Sequence, residues 1–576
     1  MEFPNAPTTP LKFPKELKIL AVEFCSNSSI HGVKYFVRKQ QLLIEKVWWI
    51  TVFLVSLVSC SSMIRAVYNK WNREPVIVTF DEQTTPVFDV PFPAITICPE
   101  MKTSSTVFNF SEAYEEFRSA PEGGLKDENR LDKFLALWQI CDMAEETIFP
   151  ERIRDNKCAE LIQELAIPVE DIFKQCIWRY KEIDCAKEFK PIITDVGLCY
   201  TFNSLIVSGL ERISNLSLQG RAEGPPKNVE WTLDRGFKHP TKIDTYPRRV
   251  LGPGKKSGMI VVLRANINDM DFLCGNSIQG FKILIHSPAD YPELQNQHLR
   301  LPLNQEIGLG VTPSLSYTTP TIIRYAPERR KCYFNNERFL KFYRTYTQSN
   351  CDLECLTNFT LTRCACVRFS MPRLEDTPIC GVGKIQCYEQ AYIDFLEMEL
   401  KMLRKNDTNF RKACQCLPAC SSIRYTAEIS QADFEWWRMT RMCKTTVEAR
   451  ENIQMSYLVV FFRNAHFMAV KRAELYGITD FLANCGGLMG LFLGVSILNL
   501  VEIVYYCTVR PFMLVVLLDN DFGGHVLLGN AGGLLSMGRQ SHGDDIRSCF
   551  DPHLEATVSG NYSLSSGESP FGGFRF

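Results

Sequence analysis

The chain has 576 residues, 45% of them hydrophobic and 22% charged, with a formal net charge of −1. This length accommodates one large domain or several small ones, and the charge balance excludes an electrostatic case for nucleic acid or an acidic partner surface. Of 23 cysteines, 18 fall between Cys98 and Cys443. An even number in one block predicts a disulfide framework in an oxidising compartment, because cytosolic thiols are kept reduced.

In chain order, residues 1–46 form a short polar arm. An uncharged stretch from Val47 to Ile64 follows, opened by Trp48 and Trp49 and closed by Arg65. A hydrocarbon core of about 30 Å needs roughly 20 helical residues, so residues 47–66 are expected to cross a bilayer. They lie too far from the N-terminus to be a cleaved signal peptide. Lysines and arginines flank this span on both sides, so the cysteine block, not the positive-inside rule, sets the orientation. Residues 67–478 carry that block and face the oxidising side. The sequons at Asn109, Asn215, Asn358 and Asn406 lie in the same segment and agree as glycosylation sites. Both termini are then cytosolic, and the sequons at Asn27 and Asn561 are unused.

Within 67–478, strands are expected at Pro75–Phe80, Phe92–Ile97, Gly258–Leu263, Phe281–Ile285 and Tyr457–Phe462, all β-branched or aromatic runs bounded by turn residues. Helices are expected at Tyr388–Lys405, with Tyr392, Leu396, Leu400 and Leu403 at helical spacing, and more weakly at Asn335–Thr347. The segment reads as a disulfide-rich α+β domain with a helical, cysteine-bracketed part. Residues 479–509 form a second span, and residues 510–576 a tail too poor in apolar residues to fold alone. A buried core helix is the alternative for either span, but aromatic residues at their ends favour a membrane.

The second span holds the strongest chemical signal. Gly486, Gly490 and Gly494 recur at four-residue spacing, a stripe that allows close helix packing in lipid. Gly494-Val495-Ser496 adds something packing does not require. A glycine, a β-branched residue and a serine in mid-membrane mark a place where helical hydrogen bonding can lapse, tolerated only beside water or protein. A ring of such carbonyls and hydroxyls can replace the water around a small cation. Asn499 and Glu502 follow on the cytosolic side, where an acidic residue needs a wet cavity. A cation path is the natural expectation. No metalloprotease helix or phosphate-binding glycine loop is present, and the eight histidines are scattered, so no enzyme is expected. Neither a metal nor a cofactor is expected, because the cysteines lack paired zinc-ligand spacing.

These residues resemble the epithelial sodium channel/degenerin family, most of all its insect pickpocket branch. His31-Gly32 matches the family's gating dipeptide. Phe92 to Cys98 matches the segment after the first span, Gly197 to Asn203 the central ectodomain motif, and Leu482 to Glu502 the pore helix. The resemblance implies a homo- or heterotrimer of like or related subunits in the plasma membrane, with three second spans lining one pore. It also implies a β-strand palm and a helical thumb. Gly494, Val495 and Ser496 would form the selectivity filter, Asn499 and Glu502 the cytosolic mouth, and His31, Gly32 and Ala483 would serve gating. Sodium would be the permeant ion and amiloride a blocker, in sensory or epithelial cells. It further implies the disulfides Cys98–Cys199, Cys176–Cys185, Cys332–Cys420, Cys351–Cys416, Cys355–Cys414, Cys364–Cys387 and Cys366–Cys380. For the remaining four cysteines, proximity suggests Cys141–Cys158, which leaves Cys274–Cys443.

One departure stands out. Acid-sensing relatives carry an aromatic residue before the thumb's first cysteine, where this chain has Arg329-Arg330-Lys331, so proton gating is not carried over. An ATP-gated two-span channel lacks the Gly-x-Ser pattern. A membrane-anchored adhesion or ligand-binding protein leaves that pattern and Glu502 without a purpose. The opening stimulus stays open.

Overall fold

A computed structural model describes residues 13–38, 42–73, 76–119, 125–141, 155–206, 229–274, 278–295, 297–405, 414, 416–438 and 452–513. Asn215, Asn406, Cys443, Cys549 and the tail beyond Met513 lie outside the described residues. The chain forms two compact bodies, one comprising Cys25–Asn499 and the other joining the N-terminal residues up to Phe24 with those from Leu500 onward.

The larger body is built on two sheets. Its eight-stranded sheet runs in the order Val76–Pro86, His466–Glu474, Gln305–Thr318, Ile453–Phe462, Met259–Asn266, Phe173–Trp178, Lys181–Ile183, with Ser422–Asp433 also paired to Gln305–Thr318. Five strands, Leu299–Leu301, Phe281–His286, Ala94–Pro99, Gly197–Phe202 and Lys190–Thr194, make the second sheet. Four of the five apolar runs predicted as strands lie in largely buried strands, whereas the run ending at Phe80 forms a mostly exposed one. Phe92, Ile95, Ile97, Phe202, Leu309 and Leu458 are fully buried in one core. Burial of this kind contributes roughly 1.5–3 kcal/mol per large side chain.

Two helices, Gln348–Cys364 and Ile385–Lys405, make the thumb-like part. Cys351 and Cys355 sit one turn apart on the first helix and reach Cys416 and Cys414. At its far end Cys364 and Cys366 reach Cys387 and Cys380. Cys332–Cys420 joins the base. Cys98–Cys199 and Cys176–Cys185 complete the seven implied pairs.

Two expectations are corrected. Asn335–Thr347 is irregular, and the helix begins just after it, with Thr347 accepting the Asn350 N–H at 3.2 Å as N-cap. The segment's backbone is claimed by side chains instead. Asn335 Oδ1 accepts from the Tyr346 N–H at 2.6 Å, and the Glu354 carboxylate accepts from Lys341 and Phe342. The second correction concerns the cysteines: Cys141 bonds Cys274, not Cys158. The Asp271 carboxylate takes N–H bonds from Ser111, Leu273 and Cys274, which pins the Cys274 turn beside the helix Phe110–Ser119. Cys158 stays a thiol, buried in the same apolar cluster, and burial pushes its pKa well up. The Cys274–Cys443 pairing falls with it.

Asn109 and Asn358 are both exposed.

Candidate functional site

Leu43–Arg73 is a single 31-residue helix, long and apolar enough to cross a membrane. The second apolar segment, expected as one helix through 479–509, is two. Ile478–Leu493 stops at Gly494, and a new helix starts at Ile497, with a bend of 77° between Ile478–Leu493 and Ile497–Met513. Gly494 adopts φ 67°, a left-handed conformation that costs an ordinary residue about 1–2 kcal/mol. Its N–H donates to the Gly490 carbonyl at 3.0 Å, and the Val495 N–H to Met489 at 3.2 Å, closing the helix end.

The residues just beyond are held by the N-terminal arm. The His31 N–H donates to the Leu493 carbonyl at 2.9 Å, satisfying a carbonyl left open by the break. The His31 ring packs so closely that a Cβ added at Gly494 would lie 2.7 Å from it. Gly32, at φ 89°, turns the arm away again. Thus the dipeptide and the break, 463 residues apart between His31 and Gly494, form one structure. No sequence signal tied them together.

Other candidate residues are placed as follows. Ser496 is exposed, Val495 is half-buried, and Glu502 is half-buried. Asn499, expected at the cytosolic mouth of a pore, is only 1% exposed, so its own chain covers it. Its amide is engaged by Ser496 and Ser29. Ala483 is exposed, and Cβ atoms added at Gly486 or Gly487 would meet nothing within 4 Å. This face of the outer helix is uncovered by its own chain.

Sequence reasoning missed the junction between the end of the helix Leu43–Arg73 and the start of Ile478–Leu493. Trp71, near the end of the first helix, donates its ring N–H to the Tyr476 carbonyl at 3.1 Å and stacks on Phe481 at 5.2 Å between ring centroids. The Arg329 guanidinium lies 4.8 Å from the Trp71 ring and 4.5 Å from Tyr325, and donates to the Trp71 carbonyl at 3.3 Å. The Arg329 cation thus sits over two rings, joining the end of the helix Leu43–Arg73 to the segment before Cys332. Beside it, Val67, Lys70, Trp71, Tyr476, Phe481 and Asn484 line a cavity of about 150 Å³. In the smaller body, Glu23 pairs with Arg510 at 2.9 Å and Phe24 meets Tyr506 edge-on at 5.5 Å.

A sequence profile described as "Amiloride-sensitive sodium channel" matches residues 24–506, the stretch that contains both helices, the sheets and the arm dipeptide. The chain belongs to the amiloride-sensitive sodium channel family. Pickpocket protein 28 of Drosophila melanogaster is 29% identical over 86% of this chain and 79% of its own length. Sodium channel protein Nach of the same species is 25% identical over 84% and 86%. Acid-sensing ion channel 1 of Gallus gallus is 22% identical over 84% and 82%. Members of the amiloride-sensitive sodium channel family are ion channels of the plasma membrane, sodium-conducting oligomers of related subunits.

Proposed function

We propose that this chain is one subunit of a sodium-selective, amiloride-blocked channel that is not voltage-gated and admits sodium passively across the plasma membrane. Residues 1–46 and 510–576 are cytosolic, 47–66 and 479–509 cross the membrane, and 67–478 are extracellular and glycosylated at Asn109, Asn215, Asn358 and Asn406. Three like or related subunits place their second spans around one axis. Gly494, Val495 and Ser496 are the filter, Glu502 attracts cations at the cytosolic side, and His31 and Gly32 gate. Gly486 and Gly490 pack the spans, and Ala483 crowds near the outer mouth.

The observation that carries this reading is the break at Gly494–Ser496, seated on the arm through the Leu493 carbonyl. Backbone released from a helix in mid-membrane is stable only where it lines a cavity or meets protein. The exposed Ser496 hydroxyl beside such a break suits a partly dehydrated cation.

The test is expression in cells with whole-cell recording. An amiloride-blockable inward sodium current is expected, and Ser496→Asp should lower sodium preference or abolish conduction. Full current with an unchanged reversal potential in Ser496→Asp would refute the filter assignment.

A further inference from the structure

Asn499 carries an inference that rests on this channel reading and deepens it. The residue sits in the helix Ile497–Val504, inside an apolar run. Its neighbours Leu498 and Leu500 are strongly exposed, whereas Asn499 is buried. An amide taken from water into such surroundings needs partners, because an unmet polar group costs about 1–3 kcal/mol. Asn499 finds three. Its Oδ1 accepts from the Ser496 backbone N–H at 2.9 Å and from the Ser496 hydroxyl at 2.6 Å. Its Nδ2 donates to the Ser29 hydroxyl oxygen at 2.7 Å. Ser29 lies two residues before His31, whose N–H holds the Leu493 carbonyl. The break is therefore tied to the arm on both sides, by backbone before Gly494 and by the Asn499 amide after Ser496.

We infer that Asn499 is a positioning residue that fixes the direction of the Ser496 hydroxyl and links it to the seating of the arm. A serine hydroxyl has one hydrogen and two acceptor lone pairs. With its hydrogen committed to Asn499 Oδ1, the exposed Ser496 oxygen turns only lone pairs outward, the end of the dipole that can replace water around a small cation. A rotating hydroxyl would offer its hydrogen to that ion part of the time. A carboxamide can accept twice on its oxygen while donating from its nitrogen, without any change of protonation. Because the burial comes from the same chain, no packing of subunits returns Asn499 to the pore wall.

The test compares reversal potentials under sodium and potassium for the full-length channel, Asn499→Leu, Ser29→Ala and the double variant, with surface labelling of each. Asn499→Leu should lower the sodium-over-potassium ratio about fivefold, the equivalent of one hydrogen bond. Ser29→Ala should lower it less, and add nothing in the Asn499→Leu background. A wild-type chain that reaches the surface and carries no sodium current, alone or together with related subunits, would overturn the channel reading itself. Wild-type sodium current with an unaltered ratio in Asn499→Leu overturns this inference alone. Should Asn499→Leu stay inside the cell, Asn499→Cys decides, in a background with Cys25, Cys507 and Cys549 replaced by serine. Protection from a charged thiol reagent applied at the cytosolic face supports the assignment, and rapid block by the reagent overturns it.

Discussion

The ectodomain and the two long apolar helical segments obey opposite rules. In the ectodomain, Phe92, Ile95 and Phe202 are completely buried, and cysteines clip the thumb to its base and along its length. In the spans, Trp48, Val58, Leu491 and Ile497 are 65%, 68%, 78% and 84% exposed within their own chain. The first region finds its partners inside one polypeptide. The second finds fewer, among them polar links at the break, aromatic ones at the junction and the arm's Tyr35 and Phe36 against Trp49 and Phe53. What holds a region also tells where it can move. Covalent staples oppose rearrangement, whereas a segment finished by lipid or by other chains can exchange partners at small cost.

The largest test of this contrast removes a staple. Cys332–Cys420 spans 88 residues, and the chain-entropy estimate for a loop of that size is about 4.6 kcal/mol. Replacing both by alanine should lower the thermal midpoint of the solubilised chain markedly, whereas replacing Cys25 or Cys507 by serine should leave it unmoved. An equal response from both pairs would erase the distinction.

Next comes Gly494→Ala. Backbone strain of about 1–3 kcal/mol adds to a contact with the His31 ring, at a segment with few other supports. Current should fall steeply while surface labelling and ectodomain unfolding stay normal. A matching fall in both would make the glycine a folding residue.

Ala483→Val, and more so Ala483→Phe, should open the channel without a stimulus. Overpacking costs about 1–3 kcal/mol per site, three copies would feel it, and about 5.5 kcal/mol moves an equilibrium from 1:99 to 99:1. Amiloride-blockable resting current is the readout, and its absence with confirmed surface expression would place Ala483 against lipid.

The smallest effect is expected where the two regions meet. Arg329→Gln removes a cation–π contact worth about 0.5–2 kcal/mol but keeps a donor for the Trp71 carbonyl. The activation curve should shift with maximal current retained. Lost surface expression would instead mark Arg329 as needed for folding.

Much of this contrast was legible in the sequence, and the failures have physical causes. The strand at Phe281–His286 and the helix at Ile385–Lys405 follow from apolar period and turn residues, which act locally. The break was legible because glycine is the residue that tolerates it. Asn335–Thr347 misled because Tyr343 and Tyr346 sit three apart as in a helix, yet both are buried by an irregular chain. Cys141 was misassigned because nearness in sequence ignores Asp271, which brings Cys274 from far away. Asn499 was legible only in part: a polar residue in an apolar helix signals a partner, and one partner lay 470 residues upstream.

The strand Val76–Pro86 leaves the helix Leu43–Arg73 almost at once, and His466–Glu474 ends just before Ile478–Leu493 begins. They pair antiparallel, with Val76 opposite Glu474. Ladder partners stay about 4.7–4.9 Å apart between strands, and separation there requires breaking several backbone hydrogen bonds together. The two helices of one chain are therefore yoked at their outer ends like the legs of a compass at its pivot. Their spread at that level is set by the sheet, so a wider opening has to come from swinging about the ladder or from whole subunits shifting past one another.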